Sequence, residues 1–106
     1  MSNMVLHGIQ AVAFGFPDSP ETTRETGQTL SPPPGTQEVT LVLQGFDMAY
    51  ADDNQYGFGA LGVSLQAASP NEAVCKAELR DNNVNKRVWG GEVFALAMFF
   101  GPPTKP

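Results

Sequence analysis

The stretch Val93-Phe-Ala-Leu-Ala-Met-Phe-Phe100 lies between Gly90-Gly91-Glu92 and Gly101-Pro102-Pro103 and contains no charge. Such a run, bounded by glycine and proline and holding three phenylalanines, has the length and composition of a strand and is too short for a helix. Successive side chains of a strand point to opposite faces. Val93, Ala95, Ala97 and Phe99 therefore form one face, and Phe94, Leu96, Met98 and Phe100 the other. Both faces are apolar, so neither meets water cheaply. A chain of 106 residues builds one core. The bulkier face, Phe94, Leu96 and Met98, is assigned to that core, and the remaining face is expected to be covered by a second copy of the chain.

Reading upstream, Arg87-Val88-Trp89-Gly90-Gly91 leads into this strand, with the glycines marking a bulge or bend. Trp89 is read as a core lid, with an exposed stacking platform as its alternative. Arg80–Lys86 is a polar turn whose asparagines tolerate positive φ. The run 73–79 alternates with Ala73, Cys75, Ala77 and Leu79 inward, which makes Cys75 a buried small hydrophobe and not a nucleophile. A hairpin turn at 68–72 joins it to the run 56–67, where Leu61, Val63 and Leu65 alternate with Ala60, Gly62, Ser64 and Gln66. Gly57, Gly59 and Gly62 match the spacing of a dinucleotide fingerprint, but they sit inside a strand pattern with no βαβ unit around them.

Asp47–Gln55 reads as a connecting loop. Asp47, Asp52, Asp53 and Asn54 are oxygen donors without the spacing or closing Glu of a calcium loop. Asp47 with Asp52 or Asp53 is the one carboxylate pair to weigh for glycoside hydrolysis, and no pocket-forming length of chain surrounds it. The run 38–46 is the clearest strand, with Val39, Leu41 and Leu43 toward the core. Residues 17–37 form a long Pro/Thr-rich loop with room for one short strand near Arg24–Leu30, and Val5–Phe16 is the first strand, carrying the lone His7 at a sheet edge or interface. The whole, residues 1–106, is expected to be a single all-β domain, a small antiparallel β-sandwich of about six strands.

Composition narrows the partners. Eleven glycines and nine prolines with only 16 % charged residues fit short strands and turns. The net charge of −5 disfavours a phosphate backbone or an anionic membrane surface. With one Cys and one His there is no ligand set for zinc, so no cofactor is expected. No run reaches the length of a membrane span and the first residues lack a signal-peptide pattern, so the chain is expected to be soluble.

From Thr22 onward the order of features resembles an H-type lectin domain: Thr23-Arg24-Glu25 in the early loop, a proline-rich lead-in, Val39-Thr-Leu-Val-Leu-Gln-Gly-Phe-Asp47, Asn54 before the next strand, Ser69-Pro70 at a turn, and a last strand of alternating bulk. The resemblance implies a six-stranded sandwich, a homo-oligomer (trimer or hexamer), and binding of N-acetylgalactosamine or related sugars between subunits without a metal. Asp18 would stand for the family's aspartate. Tyr56 falls at the family's middle-strand arginine, and Leu79 and Arg80 at its aromatic and polar pair. The candidate ligand-binding set is therefore Asp18, Arg24, Tyr56 and Arg80: a carboxylate to accept from hydroxyls, planar donors, and an aromatic face for a pyranose. The expected role is a non-enzymatic binding module for a glycan or a protein surface. The alternative is a structural subunit of a virus particle or phage tail.

Overall fold

A computed structural model describes residues 3–52, 58–81 and 87–103. Its described residues contain six strands: β1 (Val5–Ser19), β2 (Thr23–Thr29), β3 (Glu38–Tyr50), β4 (Phe58–Ser69), β5 (Glu72–Asp81) and β6 (Trp89–Gly101). They form two three-stranded antiparallel sheets, sheet A in the order β1-β6-β3 and sheet B in the order β2-β5-β4. The all-β sandwich expected from the sequence is the observed fold. It is long and thin, 58 × 24 × 18 Å, with a radius of gyration of 16.9 Å against ~13 Å for a compact chain of this length.

The run 93–100 is the middle of sheet A, paired on one side with β1 and on the other with β3. Its inward face is the reverse of the one assigned above. Val93, Ala95, Ala97 and Phe99 are fully buried, while Phe94 is 37 % exposed and Leu96, Met98 and Phe100 are only part-covered. The reason is spacing. Ala95 and Ala97 share the core with Ala77, Cys75 and Ala73 of β5, the small, buried side chains of the middle strand of sheet B, so the centre of the sandwich is filled by small residues. The bulk comes from the flanks and ends: Phe14, Phe16, Leu79, Trp89 and Phe99.

Three other expectations change. The stretch 17–37 is not one loop: β1 runs on to Ser19, and the short strand foreseen near Arg24–Leu30 is β2. Asp47 is not in a connecting loop, because β3 continues to Tyr50. A register shift between Leu43 and Gly45 also changes the parity of β3, so that Val39, Leu41 and Leu43 face inward before it and Phe46, Met48 and Tyr50 after it.

Cys75 has no exposed surface, and burial pushes its thiol up to about 11. A thiol whose folded pKa is raised stabilises the fold below its unfolded pKa and loses that contribution as pH rises through the folded value. Stability should therefore fall between about pH 9 and 11, and Cys75→Ala should flatten that part of the pH profile in denaturant titrations. In the same assay Phe99→Ala should cost about 3–5 kcal/mol, the range for removing a buried phenylalanine.

Candidate functional site

One end of the sandwich gathers most of the charged groups. It is the end where β1 finishes, β2 starts, β5 finishes and β6 starts. Trp89 opens β6 and is fully buried, so it is a lid and not a stacking platform. Its indole Nε1 donates to the Glu21 carbonyl at 2.8 Å, and its ring lies 6.0 Å from that of Phe16. Arg24 pairs with Ala77 in the β2–β5 ladder and so points between the sheets. Its guanidinium carbon sits 3.9 Å from the Trp89 ring centroid and 5.6 Å from that of Phe16. Nη2 donates to the Trp89 carbonyl at 2.7 Å and Nη1 to the Pro17 carbonyl. Burial lowers the Arg24 pKa, against the opposing pull of Asp18 and Glu21. Arg24 thus fastens β1, β2 and β6 together, and its fork is used within the chain.

Asp18 sits in the bulge between Phe16 and Ser19, exposed, with Oδ1 over Gly90. A Cβ at Gly90 would lie 2.4 Å from that oxygen and 2.7 Å from the Phe16 carbonyl, which is why glycine follows Trp89. Gly91 has φ +151°, and a Cβ on it would collide with the Asp47 carbonyl; the bulge expected at Gly90-Gly91 lies across the ladder, in β1 between Phe16 and Ser19.

The structure brings Asp18 and Arg24 together but not the whole candidate set. Arg80 is at the same end on the outer face of sheet B, its Nη1 over Gly59 and 3.4 Å from the Asp81 carbonyl. Tyr56 lies outside the described residues, as do Asp53 and Asn54. Asp47 stands opposite Glu92 on the outer face of sheet A, with roughly 10 Å of strand between it and the turn that holds Asp52. That is not the compact acid pair considered for hydrolysis.

Sequence reading missed the pairing of Arg24 with Trp89 and the ion pair between buried Asp81 and Arg87. Arg87 and Val88 share with Ala51 and Asp52 a hollow of ≈ 440 Å³ at this end. At the opposite end His7 Nε2 is 2.8 Å from the Pro102 carbonyl. Among the described residues no group of His, Cys, Asp and Glu gathers as a metal site, and no helix is long and apolar enough to cross a membrane.

No protein-family model, curated protein or solved structure matches this chain.

Arg24→Met keeps the stem and removes the charge-assisted bonds and the cation–π contact, and is expected to cost on the order of 2–4 kcal/mol. Arg80→Met, on an outer face, should stay within about 0.5 kcal/mol. Trp89 fluorescence during denaturation reads both, as the chain holds a single tryptophan.

Proposed function

We propose that this chain is a non-enzymatic, homo-oligomeric β-sandwich binding module, in three copies or a multiple of three, that presents the strand ends around Asp18 to a glycan or protein surface. The observation that carries the reading is the outer face of sheet A, where Leu6, Ile9, Val42 and Phe94 are 46 %, 56 %, 41 % and 37 % exposed beside part-covered Leu96, Met98 and Phe100. Scattered apolar side chains are ordinary on a surface; a contiguous face of them marks an interaction site. The number of copies comes from the likeness to H-type lectins.

Catalysis has little support. Cys75 is buried with a raised pKa, and His7 is at the far end from the charged cluster. Sugar recognition has one support: Asp18 is exposed, its charge acts on nearby Arg24, and its carboxylate keeps capacity to accept from a ligand hydroxyl.

Light scattering at micromolar concentration should give an oligomer, and a glycan array on the same sample should give a signal that Asp18→Ala removes while the oligomer persists. A clean 11.3 kDa monomer would overturn the assembly reading. An oligomer that binds no glycan would leave the structural-subunit role.

A further inference from the structure

We infer that the free edge of β4 pairs with the same edge of a second copy of this chain, antiparallel and about a two-fold axis, so that sheet B runs on through the contact in the order β2-β5-β4-β4-β5-β2. This rests on the oligomeric reading above and supplies a two-fold contact, the kind that takes three copies to six.

An edge strand carries a row of main-chain N–H and C=O groups that another extended backbone can pair in register, and natural sheets blunt such rows with charge, proline, bulges or short length. The two sheets have four edges, and three of them are blunted. β2 is seven residues long and carries Arg24 and Glu25. β1 carries Pro17 and is irregular both between Leu6 and Gly8 and between Phe16 and Ser19. β3 shifts register between Leu43 and Gly45 and carries Glu38 and Asp47. β4 has twelve residues with no charge and no proline, and its two register shifts fall at its ends, leaving 60–67 regular. Among the described residues, the main-chain bonds of β4 go to β5 alone, and its other edge has no partner. On that side Leu61 faces inward and is still exposed, so a strand laid along β4 extends the core side past it.

The sequence of β4 suits its own copy. A two-fold axis pairs residues whose numbers share a constant sum. An even sum sets like sides together, whereas an odd sum would turn one copy's core side to solvent. Centred on Val63, Leu61 faces Leu65 and Val63 faces Val63 on the core side, while Gly62 faces Ser64 and Ala60 faces Gln66 outside. No like charges meet on β4, which has none, and those one strand back, Lys76, Glu78 and Arg80 of β5, are of both signs. β3 lacks this freedom, because pairing it with itself would bring Glu38 near Asp47.

The test uses the full chain. Ser64→Lys with Gln66→Lys places on β4 the charge that guards natural edges; it should keep the wild-type far-UV spectrum and weaken association at least tenfold in sedimentation velocity. Glu25→Lys on the β2 edge changes the net charge by the same amount and should leave association as it is. Hydrogen exchange on the wild type, above and below its association midpoint, should show amides in 60–67 slowing on association and those of β2 unchanged. That measurement decides the matter if the lysine pair fails to fold. Association that survives in a folded lysine pair, or β4 amides that exchange alike in both states, overturns the β4 contact while the oligomeric reading stands. A dimer with β4 protected keeps the contact and overturns the count of three. A monomeric wild type overturns both inferences.

Discussion

β6 is apolar on both faces, and that constraint shapes the rest of the molecule. Its inner face is Val93, Ala95, Ala97 and Phe99, and sheet B meets it with Ala73, Cys75, Ala77 and Leu79. Small residues on both central strands leave the middle of the core with little side-chain volume. With so thin a centre, cohesion must come from the ends, where Trp89, Phe16 and Phe14 supply the bulk, and from the length of the strands. The outer face of β6 is only part-covered by its own chain. One apolar face of the strand is buried within the subunit, and on the other Phe94 is left 37 % exposed.

The two seams between the sheets differ for a related reason. Along β1 and β2 the seam is laced with polar bonds: Thr26 Oγ1 donates to the Gly15 carbonyl at 3.0 Å, the Ser31 amide donates to Gln10 Oε1 at 2.8 Å, and Arg24 ties β2 to Pro17 and Trp89. β2 brings Arg24, Thr26 and Gln28 to its inward side, so polar side chains close that edge. Along β3 and β4 the inward residues are apolar, and Leu43, Phe46 and Leu61 are left 46 %, 43 % and 45 % exposed. Polar bonds thus close one seam and apolar contacts the other. The same asymmetry explains Arg24: a guanidinium between sheets is tolerable because an aromatic face and backbone carbonyls replace its lost water.

Much of this architecture was legible in the chain. Alternation of Leu61, Val63 and Leu65, and of Ala73, Cys75, Ala77 and Leu79, gave the correct inward sides, since each strand is one-sided in polarity. β6 was not legible in that way. With both faces apolar, choice between them depended on the size of residues on β5, which is a tertiary fact. β3 was readable up to Leu43 and then misleading, because one residue of bulge reverses every later side chain. Residues 17–37 looked like loop because β2 is a polar strand, Thr-Arg-Glu-Thr-Gly-Gln-Thr, with no apolar period to announce it. The candidate site was legible only in part. Asp18 and Arg24 come near each other because a bulge in β1 sets Asp18 over Gly90 while β2 turns Arg24 onto the neighbouring Trp89, and no local pattern encodes that.

Which ligand this end suits follows from which groups remain uncommitted. Arg24 spends its Nη donors on the Pro17 and Trp89 carbonyls, Arg87 is paired with Asp81, and Arg80 lies around the corner on sheet B. An anionic ligand would therefore find the nearby guanidiniums occupied, on a chain of net charge −5. Asp18 is the opposite case, exposed and held over Gly90 by the bulge, with a carboxylate that has accepting capacity left. Arg24 and Trp89 beside it are hydrogen-bonded within the chain, and an exposed carboxylate in that setting suits hydroxyl or amide donors of a neutral ligand. A single acceptor gives little affinity alone. Repetition of that end around an assembly would multiply it, because linked weak sites gain avidity without new contacts. Under the proposed reading, assembly would supply the valency that a single weak acceptor lacks.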